Sequence, residues 1–243
     1  MRLTRIYLNQ QLSQGARLLL DAETTHYVGT VLRMRLQAEL LVFNAGDGEF
    51  AAQIVAAEKR GIEVALGEQL RAPQAASLII HLGLGISRGD RMDFAIQKST
   101  ELGVTRITPL YSQYGEVKLK TDRVENKLRH WRKIAASAAE QSGRLDIPEI
   151  VVPLSLDEWQ DTLGETTRLL LDPAGKERLG ELTGTTVADI TLLIGPEGGF
   201  SEQELDWGRK HHFAIVTLGP RILRTETAPA AALAILQHRF GDM

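Results

Sequence analysis

Two apolar runs near the C-terminus break off into glycine-rich, charged loops directly before helix-forming sequence. The first closes as Ile194-Gly195-Pro196-Glu197-Gly198-Gly199-Phe200, the second as Leu218-Gly219-Pro220-Arg221-Ile222-Leu223-Arg224-Thr225-Glu226-Thr227-Ala228. A buried strand that leaves through glycine into a helix is the building unit of a parallel α/β sheet. Ligands of such sheets bind outside the carboxyl ends of the strands, where these loops converge. Glycine there either lets backbone groups approach a ligand or supplies the positive φ of a tight turn. Neither loop ends in Gly-Lys-Ser/Thr, so the pattern is not that of a phosphate-cradling P-loop. It points to a ligand gripped by backbone.

From Ser77 onward strands and helices alternate. Leu78–Ile86 is almost continuously apolar, as in a strand covered on both faces. An amphipathic helix is predicted from Asp90 to Leu102, stopped by Gly103, and a strand over Arg106–Leu110. A long basic helix should run from Thr121 to about Gln141 and end at Gly143. Further strands are expected at Leu169–Leu171, Ile190–Ile194 and Ala214–Leu218. Ser201 and Glu204 form a capping box, and a last helix is expected from Thr227 to His238, with Pro229 in its first turn. Before Ser77 the runs are short and β-like: Ala16–Leu20, Glu39–Asn44, Phe50–Ala56 and Ile62–Leu66. Turn signals at Asn44–Gly48 and Lys59-Arg60-Gly61 separate them, and Asp21 can cap a short helix reaching Leu32. The expectation is an α/β protein in two domains: a small β-barrel over residues 1–71 and a parallel-sheet domain over 77–243, joined by a linker at 71–76.

Composition narrows the function. The chain has no cysteine, which rules out disulfides, thiolate catalysis and Cys-ligated zinc. Its longest apolar runs fall far short of the ~20 residues of a membrane span. The N-terminal residues lack the apolar core of a signal peptide, so a cytoplasmic protein without a membrane role is expected. The net charge is −3, too acidic for a general nucleic-acid coat, so any RNA contact must use local patches.

Other motifs carry competing readings. Gly85-Ile86-Ser87-Arg88-Gly89 fits a nucleophile elbow between strand and helix, with Asp172 or Asp206 and His211 or His238 able to complete a hydrolase triad. Against it, the only Gly-Gly pair lies far downstream of the serine. Gly83-x-Gly85-x-x-x-Gly89 misses the dinucleotide spacing by one residue. The segment Lys118–Lys133 carries Lys118, Lys120, Arg123, Lys127, Arg129, Arg132 and Lys133 around His130 and Trp131; it is either a solvated helix face or a phosphate-tracking one. The histidines show no ligand spacing, and no metal site is expected.

Taken together, the two glycine loops resemble the cofactor loops of the SPOUT methyltransferases. The similarity is greatest to the ribosomal RNA small subunit methyltransferase E family. Further matching segments are Arg5-Ile6-Tyr7, His26 through Val31-Leu32-Arg33-Met34, Arg88-Gly89-Asp90-Arg91-Met92 through Lys98–Val104, and Ala139-Glu140-Gln141-Ser142-Gly143-Arg144. One departure is Ala38-Glu39, near the place where that family carries Gly-Asp. The resemblance implies a knotted parallel-sheet SPOUT domain behind a PUA-like, RNA-binding N-terminal barrel, assembled as a homodimer. It implies S-adenosyl-L-methionine as cofactor, held by Ile194, Gly195, Pro196, Glu197, Gly198, Gly199, Leu218, Gly219, Ile222, Leu223, Arg224 and Thr225. The implied reaction is methylation of N3 of a uridine in 16S rRNA of the small ribosomal subunit. Arg144 would hold a phosphate or a uracil oxygen, and Glu140, Glu197 or Glu226 would accept the N3 proton, a choice the sequence leaves open. Arg5, Arg33, Arg88 and Lys127 would contact RNA. A catalytically silent assembly factor with the same fold is the alternative, distinguished by its indifference to the cofactor.

Overall fold

The computed structural model describes residues 3–58, 61–115, 117, 119, 121–182 and 187–243, with Thr121 described by its backbone. The expected turn residues Lys59 and Arg60, and Lys118 and Lys120 of the basic segment, lie outside the described residues. The chain divides into two compact units. One comprises Met1–Ala75 together with Ala139–Asp146, and the other Ala76–Ala138 with Ile147–Met243.

The first unit is a small β-module: β1 (Arg5–Tyr7), β2 (Arg17–Leu19), α1 (Ala22–His26), β3 (Glu39–Asn44), β4 (Gly48–Glu58) and β5 (Gly61–Arg71). Its five-stranded sheet has the order β1-β3-β4-β5-β2, with β1 parallel to β3 and the other pairs antiparallel. Asp21 caps α1 as expected, its carboxylate accepting the Thr24 N–H at 2.7 Å. The predicted single helix to Leu32 instead widens into a π-turn over Tyr27–Val31, a form that interrupts regular helices. Alternating residues of the strands, among them Ile6, Leu40, Val42, Ile54 and Val64, close over Val28 in one core. Gly48, at φ 93°, has no room for a side chain because the Arg71 carbonyl lies against it. β1 has three residues and escaped sequence reading; its partner is a distant strand, not a neighbour in the chain.

The second unit contains β6 (Ile79–Gly85), α2 (Asp90–Glu101), β7 (Arg106–Leu110), most of α3 (Thr121–Ser142), β8 (Glu149–Ile150) and α4 (Leu156–Gln160). It continues through β9 (Thr167–Leu171), β10 (Glu177–Arg178), β11 (Asp189–Ile194), α5 (Glu202–Lys210), β12 (Ala214–Thr217) and α6 (Thr227–Phe240). Its strands form one parallel sheet ordered β10-β12-β9-β11-β6-β7-β8. The chain builds β7 and β8 on one side of β6 and the later strands on the other. That reversal at β6/β11 is the kind of switch point where α/β sheets open a binding crevice. Ile80, Leu82, Leu84, Leu169, Ile190 and Leu192 fill the sheet, and Met92, Ile96, Leu128, Trp131 and Leu233 cover it from the helices. β8, α4 and β10 went unread from sequence, although Ser155-x-x-Glu158 carried the α4 capping box in plain sight.

α4 also explains a glycine. A Cβ at Gly83 would stand 2.5 Å from the Trp159 ring, so the glycine in β6 makes room for that side chain. The Trp159 Nε1–H donates to His81 Nε2 at 3.1 Å. Indole nitrogen only donates, so Nε2 of His81 must be an acceptor, and the Thr108 hydroxyl, 2.7 Å away, must donate to it as well. The imidazole is therefore neutral. Burial, aided by the charge of Arg106, lowers its pKa to about 4 from 6.5. Below pH 6.5 the unfolded chain takes up a proton that the folded chain refuses until about pH 4, so stability falls as pH falls through that window. Urea unfolding should show about 2 kcal/mol less stability at pH 5 than at pH 7 from this residue. A His81→Asn variant should lack that component; an unchanged pH slope in the variant would contradict the assignment.

Candidate cofactor site

The carboxyl ends of three neighbouring strands, β12, β9 and β11, frame a cavity of about 500 Å³. The loop after β11 contributes Ile194 and Gly195 through Phe200. The loop after β12 contributes Thr217, Leu218 and Arg221 through Glu226, and β9 contributes Leu171, Asp172 and Pro173. All the loop residues expected from sequence to hold a cofactor line this cavity except Gly219. Gly219 instead makes the turn: its φ is 111°, a value glycine adopts without strain. Sequence reading missed the β9 wall, although the rule about strand ends applied there equally, because no glycine pair marks it.

Local bonds hold the loops in register. The Thr225 hydroxyl, buried, donates to the Gly195 carbonyl at 2.9 Å and so ties the second loop to the first. A Cβ on Gly195 would press on the Phe200 ring at 3.2 Å, and one on Gly85 would collide with Pro196. The glycines of the Gly83-x-Gly85 pattern thus admit neighbouring side chains and the first loop, and form no dinucleotide turn. Gly198 has Tyr114 against it, 2.7 Å from where its Cβ would be.

Two glutamates line the cavity, and they differ. Glu197 accepts from the Arg88 N–H at 3.2 Å and the Arg91 guanidinium at 3.1 Å. Burial alone would raise its carboxyl, but these bonds and its own N–H outweigh that and hold it below the usual carboxylate range. Glu226 heads α6. Its Oε1 lies 3.9 Å from Arg224, while Oε2 is buried with no partner among the described residues. An orphaned carboxylate oxygen beside a cavity calls for a donor.

The first unit collects Arg5, Glu140 and Arg144 around the segment 139–146. Arg5 is 6% exposed. Its guanidinium bonds Glu49 at 2.5 Å and the carbonyls of Ala139 (2.9 Å), Glu140 (3.0 Å) and Arg144 (2.7 Å), and it stacks on Phe43. The expectation that Arg5 contacts RNA is therefore corrected: its donors are taken up by Glu49 and by carbonyls at and just beyond the C-terminus of α3. Glu140 accepts from the Tyr7 N–H at 3.1 Å and the Tyr27 hydroxyl at 3.3 Å. Burial pushes its carboxyl up, partly offset by Tyr7, Tyr27 and Arg5, a condition suited to proton exchange. The Arg144 guanidinium is clasped by Asp146 through bonds of 3.1 and 2.6 Å. Arg33 is exposed at φ 55°, and Arg88 is exposed in the β6–α2 loop.

Along α3 the basic residues divide. Leu128 and Trp131 face the core, Arg132 bonds the Ile150 carbonyl, and His130 pairs with Asp93 at 2.7 Å. Arg123, Lys127 and Arg129 make no ion pair among the described residues. The hydrolase reading finds no support: Ser87 is buried, its hydroxyl donates to the Gly85 carbonyl, and no histidine hydrogen-bonds it among the described residues. No cluster of metal-ligating residues occurs among the described residues, and no described helix is long and apolar enough to cross a membrane.

A parallel sheet with a ligand cavity at its strand ends, in a chain that also holds a small β-module, defines the class of α/β enzymes that hold a nucleotide-like cofactor. Comparison with known proteins narrows it. Residues 74–237 match the RNA methyltransferase domain family and residues 20–66 the RNA methyltransferase PUA domain. A ribosomal RNA small subunit methyltransferase E of Buchnera aphidicola (subsp. Schizaphis graminum) is 38% identical over 243 residues, covering 100% of this chain and 98% of that protein. A methyltransferase from Legionella pneumophila, solved with bound SAM, superimposes with a TM-score of 0.94 at 39% identity, covering 100% of both chains. A ribosomal RNA small subunit methyltransferase E from Neisseria gonorrhoeae, bound to S-adenosyl methionine, does so with a TM-score of 0.90 at 36% identity, again over 100% of both. The chain belongs to the ribosomal RNA small subunit methyltransferase E family.

Proposed function

We propose that this protein methylates N3 of a uridine in the 16S rRNA of the small ribosomal subunit, using S-adenosyl-L-methionine. The observation that carries this reading is the cavity closed by the two glycine loops, in a chain that matches this family along its whole length. The residues fit the cofactor. The volume suits a ligand of that size, the walls mix apolar side chains with open backbone, and Glu226 offers an unpartnered oxygen. When bound, the cofactor supplies a methyl group already activated on a sulfonium, so little is asked of the protein beyond position and desolvation.

The protein's own groups complete the reaction. N3 lies on the Watson–Crick edge, so the base must be unpaired or flipped. N3 would take the methyl carbon as its bond to the sulfonium sulfur breaks, the electron pair staying on sulfur as a neutral thioether, and the N3 proton leaves to a carboxylate. Glu140, raised by burial, and Glu226 are suited to receive it, while Glu197 is engaged with Arg88 and Arg91. Arg144 stabilises negative charge growing on a uracil oxygen. Arg33, Arg88 and Lys127 contact RNA phosphates, and the PUA match supports RNA binding by the first unit. The family resemblance supports a trefoil knot in the sheet domain, a homodimer, and a cytoplasmic site of action where ribosomal subunits are made.

The test is methyl transfer in vitro. Small subunits from a strain lacking this protein should accept labelled methyl groups at one uridine, mapped by mass spectrometry. A short naked oligonucleotide of the same sequence should be a far poorer substrate, because an acidic chain gains little from counterion release. Equal turnover on both, or no transfer to subunits, would refute the proposal.

A further inference from the structure

Asp172 directly follows β9, the strand that lies between the two carrying the glycine loops. Its backbone is fixed on both sides: the N–H donates to the Val216 carbonyl at 2.9 Å, and its own carbonyl accepts the Gly175 N–H at 3.0 Å. One side-chain oxygen, Oδ1, accepts the Ala174 N–H at 2.8 Å. The residue is only 9% exposed, yet it lines the cavity, and Oδ2 receives no donor among the described residues and is not sealed off from that space. No arginine, lysine or histidine pairs with it among the described residues. An acceptor of this kind, rigid and open to a cavity, is served by water until a ligand donor takes its place.

The surroundings say which donor. Leu171, immediately before Asp172, is in register with Ile194 on one side and Val216 on the other, and Pro173 follows. This is an apolar surface fit for the flat face of a base. The charged pairs, Arg91 of α2 with Glu197 and Arg224 with Glu226, stand instead at the glycine loops and suit the charged tail of a ligand. A group attached directly to the base is then what reaches Asp172. We propose that Asp172 recognises the nucleoside part of the cofactor, its Oδ2 accepting the vicinal ribose hydroxyls. Carboxylates accept and never donate when ionised, and hydroxyl donors give the charge-assisted bond this oxygen lacks. The assignment rests on the cofactor reading given above.

Calorimetry on the full chain tests it, with S-adenosylhomocysteine, 5′-methylthioadenosine and the 2′- and 3′-deoxy forms of the latter. The parent should lose roughly 10-fold or more in affinity when a hydroxyl is removed. Asp172→Ala should bind 5′-methylthioadenosine roughly 10- to 100-fold more weakly and be indifferent to the missing hydroxyl. Asp172→Asn, which keeps the shape, should show the same loss of discrimination and guards against a folding defect in the alanine variant. If both variants still distinguish ribose from deoxyribose, the assignment is wrong. Weakened binding of S-adenosylhomocysteine alone, with 5′-methylthioadenosine unaffected, also overturns it, since the carboxylate would then hold the ammonium tail. If the parent binds none of these ligands, the cofactor reading itself fails and takes the assignment with it.

Discussion

Arg5→Ala is expected to lower the unfolding free energy by about 3–5 kcal/mol, the range found when one partner of a buried ion pair is removed. The loss follows from what the guanidinium touches. Glu49, itself 5% exposed, would keep a charge with its closest partner gone, since Arg71 stands 3.9 Å away. The carbonyls of Glu140 and Arg144 would lose the Arg5 donor together, and that of Ala139 would keep only the Gly143 N–H and the Ser142 hydroxyl. Lysine is no substitute, because a single ammonium cannot reproduce the fork. Urea denaturation with a parallel measurement of RNA affinity reads the outcome. A loss below about 1 kcal/mol, together with weaker RNA binding and a flatter salt dependence, would return Arg5 to the RNA surface.

Arg144→Ala should slow methyl transfer about 10²- to 10³-fold while cofactor affinity changes little. The Asp146 clasp sharpens the prediction. The side chain is 12% exposed, and bonds to both Asp146 oxygens orient its guanidinium. Asp146→Asn should weaken the clasp without removing the cation, and its rate should fall less than that of the alanine variant. Single-turnover rates at saturating cofactor and subunit decide the matter. A rate within about threefold of the parent, less than ~1 kcal/mol in the barrier, would make Arg144 merely a structural neighbour of Asp146.

The sheet domain was legible because its signals are local. Gly103 and Gly143 end helices at φ 82° and 89°, and Ser201 with Glu204 starts α5 through both bonds of its capping box. The strand over Ile79–Gly85 reads directly from its apolar run. What escaped reading depends on partners remote in the chain. β1 and β8 are too short to carry a period and exist because distant strands pair with them. Arg5 looked like a free cation near the N-terminus; only the folded chain brings it to carbonyls more than 130 residues later. Asp172 had been noticed as a possible triad acid. Nothing in its neighbours Leu171 and Pro173 announces a cavity, which exists only because β9 is inserted between β11 and β12.

The two-part membership of the first unit bears on how the molecule comes into being. Its β-strands are complete at Arg71, but the unit closes only with Ala139–Asp146, the end of a helix whose body belongs to the other unit. A nascent chain released up to Ala75 holds Arg5 and Glu49 without the carbonyls that Arg5 is built to receive. The β-module must therefore wait through some seventy further residues of synthesis before its buried cation is fully satisfied. Nor can the protein be divided by proteolysis or gene fission at the 71–76 linker into two self-sufficient halves. The natural cut would have to excise an internal octet, which no single break in a linear polymer can do.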